Sequence, residues 1–293
     1  MKRFYTGLAA LILMGGPALL GAPVFADEPK LEPDAKFTAP LDPKHGETAF
    51  DVELKGSVFG LKIMKARLKG TMGRNKYRVY TDLKTSGLAA MFKKQRMWST
   101  TAGRYDRTGI HPVRHVQQNL NKKARRVVMN FNYDEPSVDI KVRPPHGSQG
   151  TPPATLAQKF TSDDVNSALL KMIMTGYEIK GEVCQDDIKV FDSKQHYNLR
   201  MERVEDTTYK YDGTRYPAIK CHIYYEPISG FDAEDLPDDE EASAPVKAYF
   251  INRPDLGIYM PVKFTYKISG FKATIKVKDA IIIKGKELEK DQN

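Results

Sequence analysis

The side chains able to do chemistry in this chain are few and scattered. Of 6 histidines, only His111 and His115 lie close together, with Pro112 between them. Imidazoles at this spacing chelate a metal when a helix sets them one turn apart, and Pro112 argues against a helix. On a strand they share one face but sit too far apart to hold one ion without a bulge. No Cys or carboxylate nearby completes a site, so no metal ligands are expected. The 2 cysteines, Cys184 and Cys221, lack the Cys-x-x-Cys spacing common in redox pairs. In an oxidising compartment they should close as a structural disulfide.

Charged runs offer a second kind of chemistry. Asp232, Glu234, Asp235, Asp238, Asp239, Glu240 and Glu241 form an acidic stretch. It lacks the alternation and the bending glycine of a calcium loop, so a mobile, solvated loop is expected. The turn Asn121-Lys122-Lys123-Ala124-Arg125-Arg126 is basic. Lys122, Lys123, Arg125 and Arg126 are its candidates for contact with anionic groups, because guanidinium pairs phosphate in a bidentate way. No Gly-x-Ser-x-Gly elbow, His-Glu-x-x-His helix, phosphate loop or dinucleotide fingerprint is present, so no catalytic residue and no cofactor are assigned. A Ser/His/Asp site assembled from distant strands stays open as a hydrolase alternative.

These groups must be positioned by the rest of the chain. Lys2 and Arg3, an apolar run from Leu8 to Leu20 and Val24-Phe25-Ala26 before Asp27 have the layout of a secretory signal peptide cleaved after Ala26. The run is broken by Gly15, Gly16 and Pro17 and is shorter than the ~20 residues of a spanning helix, so the mature protein is not expected to span a membrane. A periplasmic location follows. Loss of Lys2 and Arg3 lowers the formal net charge of +9 by two, to +7. The excess is spread over many segments, which favours anionic lipid, lipopolysaccharide or cell-wall polymer over a nucleic-acid groove.

Residues 27–47 are polar and carry Pro29, Pro33, Pro40 and Pro43, as a flexible leader does. Beyond them, period-2 alternation dominates. Phe264-Thr265-Tyr266-Lys267-Ile268 and Phe271 to Lys278 put apolar residues on one face and Lys or Thr on the other, joined at Ser269-Gly270. Further strands are predicted at 50–54, 61–70, 76–83, 97–105, 113–120, 126–133, 188–191, 197–204, 217–225 and 246–251. Turn signals at Met72-Gly73-Arg74-Asn75, Asp192-Ser193-Lys194-Gln195 and Tyr211-Asp212-Gly213 separate them. One segment departs from the pattern: Val165, Ala168, Leu169, Met172 and Ile173 form a helical stripe, with Thr161-x-x-Asp164 resembling a capping box and Gly176 past the end.

The expected architecture is mainly β: a curved antiparallel sheet, a β-spiral or partly open barrel, with one short amphipathic helix. A single domain spans 48–286, its halves 48–142 and 178–286 joined by a loop and the helix at 161–175. A polar tail follows at 287–293. Cys221 is in phase with Ile219, Ile223 and Tyr225, so the disulfide should lie on the inward face.

Four segments together resemble a family of periplasmic β-rich proteins of proteobacteria, domain of unknown function 3108. They are Lys84-Thr85-Ser86-Gly87-Leu88, Asp164-Val165-Asn166-Ser167-Ala168-Leu169-Leu170, Cys184 followed by Val190-Phe191-Asp192, and Gly257-Ile258-Tyr259-Met260-Pro261-Val262-Lys263. The likeness covers most of the chain from Thr48 onward. The family is similar in layout to disulfide-bonded β-spiral proteins tied to envelope integrity and, more remotely, to curved-sheet lipoprotein carriers. It implies no catalytic residues. The expected function is therefore a non-catalytic periplasmic binding or scaffolding protein supporting cell-envelope integrity. Its partner would be an envelope component: anionic lipid, lipopolysaccharide, peptidoglycan or an envelope protein, and not nucleic acid. A carrier of a lipid or lipoprotein in a curved-sheet cavity is the second reading.

Overall fold

The computed structural model describes residues 41–87, 90, 95–121, 124–268 and 271–285. The expected signal peptide, most of the leader, Lys122, Lys123, the Ser269-Gly270 turn and the polar tail lie outside the described residues. Among the described residues, β1 (Glu47–Val58), β2 (Leu61–Gly73), β3 (Lys76–Thr85), β4 (Arg96–Asp106), β5 (Gly109–Asn119), β6 (Arg126–Asn132) and β7 (Ser137–Arg143) form one antiparallel meander. A second contains β8 (Ile188–Phe191), β9 (His196–Tyr211), β10 (Thr214–Ser229), β11 (Val246–Arg253), β12 (Ile258–Ile268) and β13 (Phe271–Lys284). The two join into a single 13-stranded sheet, ordered β7-β6-β5-β4-β3-β2-β1-β13-β12-β11-β10-β9-β8. The seam is β1 against β13, with Thr48 opposite Lys284 and Val58 opposite Ala273.

Alternation builds the strands as expected. In β3, Tyr77, Val79 and Leu83 are buried while Lys76, Arg78 and Lys84 face water. The turns use backbone that few residues tolerate: Arg74 (φ 52°) with Asn75 (φ 61°), and Asp212 (φ 45°) with Gly213 (φ 78°), bend two-residue hairpins. Strand β7 was not among the expected strands, although Val138, Ile140 and Val142 alternate. Its apolar side chains are only half-buried, because β7 is an edge. Strands β9 and β10 are each 16 residues long and outrun the expected spans, since their far ends are largely exposed and carry apolar contact only through the half-buried Tyr209, Tyr211 and Tyr216.

The sheet curls until its edges approach without pairing. Val127, Met129 and Phe131 of β6 pack with Phe191 of β8 and with Ala154, and half-buried residues of β7 complete that cluster. This is the curved, partly open barrel that the sequence predicts. Two larger clusters fill the concave side.

The helical part needs correction. In place of one helix at 161–175, α1 (Leu156–Phe160) and α2 (Val165–Met174) follow each other, and α3 (Asp239–Ser243) lies in the acidic stretch. The capping box belongs to α1, where Thr155 and Gln158 bond reciprocally. Thr161 caps the end of α1, and Asp163 leaves the helical path to bridge Val190 of β8. Asp164 then starts α2 by accepting from the Asn166 and Ser167 amides. Gly176 (φ 90°) turns the chain after α2, in a conformation open to glycine. The acidic stretch is built and not a free loop: Lys194 Nζ lies 2.6 Å from Asp232 and 3.9 Å from Asp235.

Cys184 and Cys221 are bridged, with Cα atoms 5.9 Å apart across 37 positions, and both are buried in the largest core cluster. The bridge ties the connector between the meanders to β10. Removing it by Cys184→Ala/Cys221→Ala should cost about 3–4 kcal/mol by the loop-entropy estimate. Denaturant unfolding of reduced and oxidised protein reads this directly, and coincident curves would rule out the stabilising role.

Candidate functional site: an apolar cavity beneath a buried polar latch

Helix α2 inserts its buried side into the concavity of the sheet, and its N-terminus determines how it sits. The Asp164 carboxylate is fully buried and must be compensated. Its Oδ1 accepts from Thr101 Oγ1 of β4 at 2.7 Å and lies 2.9 Å from His115 Nδ1 of β5. With Thr101 donating to Asp164, the His115 proton belongs on Nδ1, aimed at the same oxygen. Oδ2 accepts from Ser167 Oγ, which also meets the Tyr77 hydroxyl of β3 at 2.7 Å. Asn166 extends the network: its Nδ2 donates to Thr101 Oγ1, and its Oδ1 accepts from Thr81 and Ser99. Three strands are thus pinned to one helix end.

Two adjacent carboxylates respond oppositely to burial. At Asp164 burial alone pushes the pKa up, but the His115 ring, then Ser167 and Thr101, outweigh it and hold the carboxyl below the usual range. At Asp163 burial wins over Lys171, whose Nζ is 3.6 Å away, and the carboxyl is pushed up to about 6. The structure therefore brings His115 of β5 to an aspartate and a serine that lie three positions apart at the start of α2. Their order is not that of an activated nucleophile: Ser167 Oγ donates to Asp164, and Ser167 is completely buried. As arranged, the group fastens a helix.

Below this latch lies a cavity of about 150 Å³. Phe50, Val52 and Leu54 of β1, Ala66 and Leu68 of β2, Ile275 of β13 and Leu169 and Ile173 of α2 are among its walls. Among the described residues its polar borders are Thr81, Ser99, Gln117 and Asn166, and no charged side chain lines it. Met72, Met97, Met172 and Met260 also line it, and thioether chains repack around guests of differing shape.

A model of the family described as "Protein of unknown function (DUF3108)" matches residues 49–275. The chain belongs to the DUF3108 family. No curated protein matches the sequence. The DUF3108 chain is also similar to a solved structure described as a "Beta-barrel-like Protein of Domain of Unknown Function DUF1849 from Brucella abortus". The two share 11% identity with a TM-score of 0.47, over 83% of this chain and 100% of the other.

The remaining sequence-stated candidates of this DUF3108 protein disperse. His111 and His115 fall on opposite faces, because a bulge at Val113 breaks the β4–β5 register. His115 joins the latch, while His111 Nε2 lies 3.1 Å from the exposed Asp106. Among the described residues no group of three His, Cys, Asp or Glu gathers as metal ligands. The Arg125 guanidinium is occupied by the Pro144 and Pro145 carbonyls at 3.0 and 3.1 Å, and Arg126 lies opposite Arg143 in the β6–β7 pair. No helix among the described residues is long and apolar enough to cross a membrane.

Two measurements check the latch. Asp164→Ala should destabilise by about 2–4 kcal/mol, because it removes the α2 cap and leaves buried donors of Thr101 and Ser167 unpaired, whereas Asp164→Asn should recover part of that loss by keeping a cap. Asp163 carries the opposite sign. Its folded pKa of about 6 lies above the unfolded value of 3.8, so ionising it works against the fold as pH rises through that window. Asp163→Asn should therefore be more stable than wild type by about 1–2 kcal/mol at pH 7, with the difference vanishing below about pH 4. A constant difference from pH 4 to 7 would show that Asp163 is not desolvated as described.

Proposed function

We propose that the protein is an exported, non-catalytic binding protein that holds the apolar part of an envelope amphiphile inside its curved sheet. The carrying observation is the cavity: apolar on nearly every side, uncharged, and roofed by a helix whose placement consumes a buried ionic network. Cavities of roughly this volume stay dry when empty and take up small hydrocarbons. Binding pockets are commonly apolar walls with a few placed polar groups, and Thr81, Ser99 and Asn166 supply such a polar corner. One end of a hydrocarbon chain suits this space, with the remainder of the amphiphile outside it. The signal-peptide layout and the Cys184–Cys221 bridge support a periplasmic setting, where acylated molecules need shielding from water. This reading moves the carrier ahead of a purely scaffolding role, because a scaffold requires no internal space.

The test is direct. Mature protein purified gently from periplasm and examined by native mass spectrometry with organic extraction should carry an amphiphile, or should bind a fluorescent fatty acid. Ala66→Phe places a ring in the cavity and should weaken fatty-acid binding about tenfold or more while the protein stays folded, at a stability cost of no more than about 1–3 kcal/mol. A ligand-free protein that also fails to bind the probe would exclude the proposal.

A further inference from the structure

Two neighbouring hairpins end in exposed aromatic residues that touch each other. Phe59 sits at the β1–β2 tip and Phe271 begins β13, with ring centroids 5.2 Å apart in an edge-to-face pair. They are 73% and 51% exposed, and Leu61 beside them is 53% exposed. Folding does not call for this arrangement. Phe59 occupies the first central position of a two-residue turn with φ 50°, ahead of Gly60 with φ 77°. Asn or Asp is favoured there, and a bulky side chain in the left-handed region costs free energy. The hairpin thus carries both backbone strain and an unburied ring at one residue, a pairing that marks function more often than packing.

The surface behind this tip carries a row of basic side chains. On the convex face, Arg96, Lys84, Lys65, Lys55, Lys276 and Lys263 stand directly opposite one another across six adjacent strands, from β4 to β12. Like charges in direct cross-strand register repel. Lys62 and Lys272 lie nearer the tip on the same face. Among the described residues no carboxylate comes within ion-pair distance of Lys55, Lys62, Lys65, Lys84, Lys263, Lys272 or Lys276. The Lys263 ammonium feels this crowding: partial desolvation, then Lys276 and Lys272, push its pKa down. Arg96, at one end of the row, already pairs with Asp82 at 3.2 Å, and a counter-anion layer would relieve the lysines.

We propose that Phe59 at the β1–β2 tip and Phe271 at the start of β13 form a docking site for an anionic phospholipid bilayer, with the two rings entering the interface and the flanking lysines meeting lipid phosphates. Aromatic rings with a basic collar suit the boundary between head groups and acyl chains, where the ring is desolvated and the ammonium stays wet. A polyanionic strand would instead call for a groove with flat stacking faces, whereas these rings meet edge to face on a protrusion. Docking also brings the interior close to the leaflet. Leu54 and Ile275, which line the cavity, lie five and four positions from Phe59 and Phe271, roughly 15 Å along the strands.

The proposal does not require the cavity to hold a ligand, and the test separates the two. The mature protein is floated with vesicles of phosphatidylcholine, with or without phosphatidylglycerol. Wild type should float with the anionic vesicles and far less with the neutral ones. Phe59→Ser/Phe271→Ser should weaken flotation about tenfold, and Lys62→Gln/Lys65→Gln/Lys272→Gln about a hundredfold, near fivefold for each lysine. These side chains are exposed or half-exposed, so both variants should keep the wild-type melting temperature. Ala66→Phe should float as wild type does. Failure of wild type to float with anionic vesicles overturns the proposal. So does undiminished flotation of the double phenylalanine variant, which would leave only a charge contact.

Discussion

Burying one carboxylate obliges much of this architecture. Asp164 has no access to water, so it persists as an anion only if hydrogen-bond donors surround its oxygens. Thr101, His115 and Ser167 meet that demand, and the free amides at the start of α2 add the favourable end of a helix dipole. Thr101 and His115 come from two different strands, so satisfying the charge also sets where α2 lies in the concavity. The cavity exists because the helix is held there by its end, while its flank leaves space above Leu169 and Ile173.

One period-2 pattern serves both faces of the central strands. Leu54, Ala66 and Ile275 turn inward to the cavity, and Lys55, Lys65 and Lys276, their immediate neighbours, turn outward to form the basic row. A shift of register by one residue would exchange the two. The bulges at Gly56/Ser57 in β1–β2 and at Glu53/Leu54 in β1–β13 therefore do more than bend the sheet, since each resets which residues face which side.

Much of this was legible in the sequence. Alternation placed twelve of the strands, the turn residues placed the reversals, and the expectation of an oxidising compartment predicted the bridged cysteines. Strand β7 escaped because an edge strand buries little of its apolar face. The single expected helix became two because Thr161 and Asp164 each look like a cap, and only the β8 edge, by recruiting Asp163, decides which of them starts a helix. The latch was the larger omission. Thr101, His115, Asp164 and Ser167 come from three regions of the chain, and no local spacing announces that they meet. The segment from Asp164 to Leu170 stood out by its likeness to the family, without a physical reason. That reason is the buried cap. The facing lysines were visible singly, but their alignment depends on registers that only the assembled sheet supplies.

The central seam joins the strands farthest apart in the chain. β1 lies at the middle of the sheet, yet its partner β13 is the last of the described strands to be made. As the polypeptide emerges, the first meander can form around β2 to β7 with one whole side of β1 left as an open backbone edge. An open edge is a template for any other strand that reaches it first. Topology thus makes this fold a matter of timing: until β13 arrives, protection from self-association has to come from outside the chain, and a prematurely ended product would be sticky along its own midline.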